Sequence, residues 1–425
     1  MPHSTNALLS RHLQEAGWSA WNTARRVNDE RGRRGNPTAY TATHVKRWKL
    51  GTVPDPQSRS VLVDLLSAVL MRGVTETDLG FPSRTPPLPE LFPAQPDDAI
   101  SAAAELWSAE AAGALPTDYH PGGYAVPARE WLLAWPDGDL GRFAPRRVGQ
   151  TDVDLLWLAE QAFDEMQRRR GGGYARATLG RMLADVVAPL LAGGYRDGVG
   201  RQLFAAAGRL ADIAGYCAFD VAAQGPAQRL FIHALRLARA AGDDVVAAQI
   251  FGDMARQTLY LGEAGEALSL ARAGQRAAGD CASALARCAA LEAQAHAAQG
   301  DHEETERAID RARDALDGTD PDKQPPWLAY LTMEELDAEH AVAALMLGRP
   351  DETVRLAAPA LSVQAPVERR TALLAASVAR AHLRLGQSVP ARRAMRIAEV
   401  AAAGGTSHRV REALQQVRAM FGEAP

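Results

Sequence analysis

The chain has 425 residues, 47% of them hydrophobic and only 6% aromatic, with a net charge of −4 at pH 7. That length suggests two or three domains with real cores, and an alanine-rich, aromatic-poor composition favours helices packed closely on one another. No apolar run of about 18 residues is present, so no membrane span is expected, and three sparse cysteines, Cys217, Cys281 and Cys288, fit reduced cytosolic thiols better than a disulfide framework.

The N-terminus MPHSTNALLSRHLQEAGWS has no apolar segment or cleavage site, so no signal peptide is expected. Residues 1–60 hold ten Lys/Arg against four Asp/Glu, a net +6, which leaves −10 for the rest. A basic head on an acidic body directs any polyanion contact to the head. Residues 1–81 read as short helices. STNALLSRHLQEAG has a polar start and a Gly stop, with Leu9, Leu13 and Ala16 on one side. SAWNTARRVNDER places Trp21, Ala24 and Val27 at spacing three. GRRGNPTAY reads as a loop. A third helix runs from about Thr41 to Leu50, ended by Gly51, Pro54 and Pro56. SRSVLVDLLSAVLMR gives an apolar fourth.

Residues 82–98, PSRTPPLPELFPAQPDD, carry six prolines in seventeen positions and read as a semi-rigid linker. AISAAAELWSAEAA is a short helix. Residues 113–149 resist assignment, although AREWLLAW has a buried character and PDGDLG marks a turn. From Asp152 onward the pattern is almost wholly helical, broken at GGGYAR and AGGYRDGVGR. ARAAGDD recurs as QRAAGDC 37 residues later, and Gly262, Gly300, Gly348 and Gly386 precede new helices at spacings of 38, 48 and 38. Helix–Gly turn–helix units of that period predict an α-solenoid of tetratricopeptide-like hairpins over residues 226–425, preceded by a helical middle region, 99–225.

The third helix carries the most specific chemistry. On a wheel, Val45 and Trp48 form an apolar stripe, while Thr43 and Arg47 lie nearly opposite with Lys46 beside them. Thr41 sits where an N-cap belongs. A face bearing a hydroxyl, an ammonium and a guanidinium suits DNA readout: Arg can bond guanine O6 and N7, and Lys and Thr can hold phosphate or a base edge. A solvated basic helix surface is the alternative.

The order of helix, turn, short helix with HVxRWxxGxxPxP, then apolar helix resembles the lambda-repressor-like (XRE-type) helix-turn-helix family. The resemblance implies that residues 1–81 bind double-stranded DNA in the major groove. It puts Ala42, Thr43 and Arg47 at base-reading positions and His44 and Lys46 beside them near phosphate. Thr41 and Lys49 complete that face. The turn before the third helix is longer than the family's three or four residues, and its Arg31, Arg33 and Arg34 are candidates to grip phosphates. GGGYARATLGRMLADVVAPLL, GRQLFAAAGRLADIAGYCAFD and GPAQRLFIHALRLARAAGDD look like streptomycete-type regulators with tetratricopeptide-like C-terminal regions. That implies a cytoplasmic, nucleoid-associated transcription factor of secondary metabolism or development, with repression expected ahead of activation. A homodimer on a palindromic operator follows, because one small helix-turn-helix supplies little affinity. The rival class is a protein-interaction scaffold whose helix-turn-helix is vestigial or binds protein.

Other signals are weaker. Arg236, Arg239, Gln257 and Tyr260 are candidates to line a groove for a small-molecule or peptide effector, with structural packing as the alternative. GGGY lacks the strand and spacing of a phosphate loop. His302 beside Glu303 and Glu304, and His340 beside Glu339, lack metal spacing and read as exposed helix charge. Cys281 and Cys288 read as buried small residues. No GxSxG and no assignable acid/base pair occurs, so neither enzymatic activity, cofactor nor metal is expected.

Overall fold

A computed structural model describes residues 5–34, 37–70, 74, 76, 78–81, 88–133, 137–317, 319–320, 324–362 and 368–423. The protein is all-α. Among the described residues no strand forms, and the only β pairing is two isolated bridges, Arg142 with Tyr195 and Arg147 with Gly194. The chain divides into two compact units, residues 1–85 with 112–114 and residues 86–111 with 115–425. No described helix is long and apolar enough to cross a membrane.

The first unit contains α1 (Ala7–Glu15), α2 (Ala20–Arg33), α3 (Ala42–Lys49) and α4 (Pro56–Leu70). Its core is Leu9, Leu13, Ala24, Val27, Val45, Trp48, Leu62 and Leu66, closed by Val74, Leu79 and Phe81. Each large side chain buried there contributes roughly 1.5–3 kcal/mol. Asn6 accepts from the Leu9 amide at 2.9 Å and donates to the Leu79 carbonyl at 2.8 Å, while its own amide donates to the Lys49 carbonyl at 2.9 Å. One residue thus caps α1 and ties it to the end of α3. Two expectations fail in α2. The helix runs on to Arg33, so Arg31 and Arg33 are helical and not loop residues. Trp21 is 63% exposed, because it lies about 120° round the helix from Val27. Trp18 fills the core instead, with the Arg26 guanidinium 4.8 Å above its ring.

The second unit opens inside the expected linker. Leu88–Leu91 forms a 3-10 turn, Leu91 and Phe92 are buried, and α5 (Pro96–Ala111) begins on a proline that needs no N–H partner. Residues 82–87 lie outside the described residues. There follow α6 (Ala125–Leu133), α7 (Gln150–Arg170), α8 (Gly172–Met182), a π-helical turn (Leu183–Val187) and α9 (Ala188–Leu191). In AREWLLAW, whose last two residues lie outside the described ones, Trp131 packs edge-on to Phe251, but Leu132 and Leu133 point to solvent. The first expected break shrinks to Gly171, alone between α7 and α8. At the second, Gly194 and Tyr195 pair with Arg147 and Arg142 before α10 begins.

The rest is a run of helices: α10 (Asp197–Asp220), α11 (Gln224–Ala241), α12 (Asp244–Tyr260), α13 (Ala264–Ala278), α14 (Ala282–Ala298), α15 (His302–Asp317), α16 (Met333–Met346), α17 (Pro350–Ser362), α18 (Glu368–Arg384), α19 (Ser388–Ala402) and α20 (His408–Glu423). Sequential helices pack in pairs, and the first helices of successive pairs, α10, α12, α14, α16 and α18, also meet one another. The pairs α12/α13, α14/α15, α16/α17 and α18/α19 each turn on a three-residue link whose middle glycine has φ between +72° and +87°. The next residue's amide closes each turn, as Asp301 does on the His296 carbonyl at 3.0 Å and Gln387 on the His382 carbonyl at 2.8 Å. The longer glycine spacing, 48 residues, reflects the segment between α15 and α16. There Trp327 stacks on Trp157 of α7, rings 5.3 Å apart, and Tyr330 lies 3.8 Å beneath Arg168.

The α10/α11 pair makes the same turn with Ala222 in the glycine position, at φ +67°. Its side chain is exposed, so burial offsets little of the left-handed strain. Ala222→Gly should therefore stabilise the protein by about 0.5–1 kcal/mol, while Gly348→Ala should destabilise it by about 1 kcal/mol. Thermal melts of the two variants check the opposite signs.

Candidate nucleic-acid interface

Thr41 precedes α3 in an extended conformation, and the His44 ring accepts from its backbone amide at 3.1 Å. His44 is therefore part of the helix cap as well as exposed. Val45 and Trp48 are buried, which turns Thr43, Lys46 and Arg47 outward on the opposite side. Among the described residues no side-chain partner engages Thr43, Lys46 or Arg47. Ala42 and Lys49 are half-buried at the two ends of the helix. So α3 presents a hydroxyl and two uncommitted cations within one and a half turns.

The neighbouring arginines differ. Arg31 is buried and bonds Asp55 Oδ1 at 2.6 Å and Ser58 Oγ at 3.0 Å. Arg33 pairs with Glu30 at 2.5 Å, and Arg34 bonds both Glu30 and Asp64 at 2.9 Å. Arg31, buried against Asp55 and Ser58, is corrected from a phosphate contact to a cross-link, while Arg33 and Arg34 stay exposed beside their carboxylates. Eight residues, Arg34 to Thr41, connect α2 to α3, and of these Thr38 and Tyr40 are held by Asn28. Its amide donates to the Tyr40 carbonyl at 2.8 Å, and its carbonyl oxygen accepts from the Tyr40 amide and the Thr38 hydroxyl, both at 2.9 Å.

Tyr40 is the hub. Its hydroxyl donates to Asp55 and accepts from Ser58, and its ring meets Trp48 edge-on at 4.9 Å and His44 at 5.5 Å. Burial alone would raise the Asp55 pKa. Hydrogen bonds from Tyr40, Ser58 and Arg31 outweigh it and hold the carboxylate well below its ordinary range. Asp55 also accepts from the Ser58 amide at 3.1 Å at the start of α4. One carboxylate thus joins α2, the connection and α4, and the Tyr40 ring carries the link to Trp48 of α3. Sequence reading missed Asn28, Tyr40, Asp55 and Ser58. The available signal was Asp55 directly before Pro56 with Ser58 three residues on, the spacing of a helix cap.

The expected effector residues do not form an open site. Arg236 is fully buried and donates to the Pro93 carbonyl at 2.6 Å and to Asp137 at 2.7 Å. Gln257 is also buried, accepting from Tyr124 and donating to the Gln224 carbonyl at 2.9 Å. Tyr260 donates to Glu412, and Arg239 lies half-buried over the Phe92 ring at 5.8 Å. Arg236 and Gln257 are corrected to buried cross-links within the second unit, while Arg239 and Tyr260 stay partly exposed. The GGGY glycines serve close packing: the Gly172 amide donates to Asp220 at 2.8 Å, and a Cβ there would stand 2.3 Å from the Cys217 carbonyl oxygen. His340, expected to be exposed, is buried, and burial with Arg313 nearby pushes its pKa down to about 4. Glu339 beside it pairs with Arg256 at 2.8 Å. Cys288 is buried and Cys281 partly so. Among the described residues no group of three or more His, Cys, Asp or Glu could hold a metal ion.

Residues 9–82 match the family model of the SP15 N-terminal domain. That span holds α1 but for its first two residues, α2 to α4 and the whole candidate face. The family's description names a domain and no activity. No curated protein and no solved structure matches the chain.

Asp55→Asn should destabilise the protein by about 1–2 kcal/mol, allowing for the partial exposure of the carboxylate. Because the folded pKa is depressed, the Asp55 contribution is complete above the unfolded value of about 4 and is lost as pH falls below it. Urea melts at about pH 7 and about pH 3 should show the gap between wild type and variant narrowing in acid.

Proposed function

We propose that this protein is a sequence-specific DNA-binding transcriptional regulator, a repressor ahead of an activator, with α2 and α3 acting as a helix-turn-helix. The observation that carries the reading is the contrast among the cations of the first unit. Arg31, Arg33 and Arg34 are spent on Asp55, Glu30 and Asp64, whereas Lys46 and Arg47 stand exposed beside Thr43 with no partner. A core would not need such a face, and Val45, Trp48 and Tyr40 hold it in a fixed orientation. The resemblance to lambda-repressor-like domains supports the same assignment, with Arg47 on a base edge and Lys46 and His44 nearer phosphate.

The hairpins of α10 to α19 are read as a tetratricopeptide-like solenoid that joins two copies and takes up an effector or partner. The glycine turns and the contacts among first helices support that architecture. A two-fold dimer would set half-sites about 34 Å apart, one helical turn of DNA, or a multiple of it.

The test is fluorescence anisotropy of the full chain on upstream and scrambled DNA at two salt concentrations. Arg47→Ala should cost about 1–3 kcal/mol and relax preference at one base pair. Lys46→Ala should weaken all sequences alike and flatten the salt dependence by roughly one counterion. Arg33→Ala should leave affinity unchanged, because Glu30 already holds that guanidinium. Weak binding that is equal on both DNAs and flat with salt would refute the assignment.

A further inference from the structure

One helix of the second unit has an apolar stripe that is exposed among the described residues. On α7, Val153, Leu156, Glu160, Phe163 and Gln167 are buried toward the unit's interior. The opposite side exposes Leu155 (58%), Leu158 (61%) and Met166 (37%), with exposed Ala162 between them. At 100° per residue these four fall within an arc of about 80°, and at 1.5 Å per residue they run for about 16 Å. A straight row of leucine and methionine on an otherwise charged helix is the pattern of a helix–helix seam.

The charges beside the stripe say what fits it. Asp152 and Asp154 lie at the N-terminal end of α7, whereas at its C-terminal end Arg168, Arg169 and Arg170 outnumber Asp164 and Glu165, which pair with the first two and leave that end net positive. A second α7 laid antiparallel puts each acidic end against the other's basic end and aligns the helix dipoles favourably. A parallel arrangement brings like charges together. The stripe is therefore complementary to itself under a two-fold rotation, the requirement for an isologous contact. We propose that α7 is the homodimer seam of this protein, its occupant the α7 of a second copy in antiparallel orientation. It places on α7, and not on the α10 to α19 hairpins, the dimer contact of the proposed function, and it does not depend on DNA binding.

Sedimentation velocity of the full chain without DNA, over a range of concentrations, tests the seam. Wild type should form a dimer in the micromolar range. Leu158→Glu should weaken dimerisation by about tenfold or more, since it buries an unpaired charge at the centre of the contact, while leaving the melting temperature in place because the residue is exposed. Asp154→Arg and Arg169→Glu should each weaken it, and the double variant should recover most of the loss. A wild-type protein still monomeric at about 100 μM, or a Leu158→Glu dimer as tight as wild type, would overturn the proposal. Failure of the charge-swap pair to recover would overturn the antiparallel arrangement. Because no DNA is present, these outcomes are separate from success or failure of the anisotropy experiment.

Discussion

Buried arginines answered by carboxylates on neighbouring helices hold the second unit together. Arg209 of α10 bonds Glu160 of α7 and Asp212, each at 2.6 Å. Arg287 of α14 bonds Asp253 of α12 at 2.7 Å, and Arg256 of α12 reaches Glu339 of α16. Arg370 of α18 pairs with Glu335 of α16, and Arg369 turns back to Gln167 of α7 and Asp220 of α10. The series returns from the last pairs of helices to the first. An isolated charge in such a place would be prohibitive, so each pair penalises any stacking that separates its members. Alanine-rich helices need that selection, because small side chains interlock weakly and many registers bury similar apolar area. The field these arginines create is visible at Tyr216. Burial alone would raise its pKa, yet Arg369, Arg409 and Arg256 together bring it below the ordinary value.

The first unit uses the same chemistry on a smaller scale, with a different consequence. Asp55 consumes Arg31, and Glu30 with Asp64 consumes Arg33 and Arg34. Among the described residues, the cations without a carboxylate include Lys46 and Arg47, which lie together on α3, and Arg25 and Arg26 of α2, which lie over Trp21 and Trp18. The Tyr40 hydroxyl, held between Asp55 and Ser58, anchors the α3 face by pressing its ring on Trp48. The polar hub and the exposed cations are therefore linked: loosening Asp55 would disturb the placement of Arg47 without touching it.

Much was legible in the sequence because it depended on local periodicity. The helical class, the core role of Val45 and Trp48, the exposure of Thr43, Lys46 and Arg47, and the turn glycines all follow from the helix repeat and from backbone freedom at positive φ. Failures came where a residue's role depends on a distant partner. Arg31 and Arg236 look like surface cations until Asp55 and Asp137 are brought to them, 24 and 99 residues away in the chain. Trp21 was misplaced because spacing three drifts round a helix of 3.6 residues per turn.

The sequence by itself determined that the chain is helical, that its charge is divided between a basic head and an acidic body, and that Gly262, Gly300, Gly348 and Gly386 mark turns. These properties are set by each residue and its near neighbours. Tertiary structure alone decided which cations are neutralised and which stand free, which polar side chains are cross-links and not ligand groups, and that the stripe of Leu155, Leu158 and Met166 is left exposed. Pairing and burial are properties of distances between segments far apart in the chain, and local pattern carries no record of them.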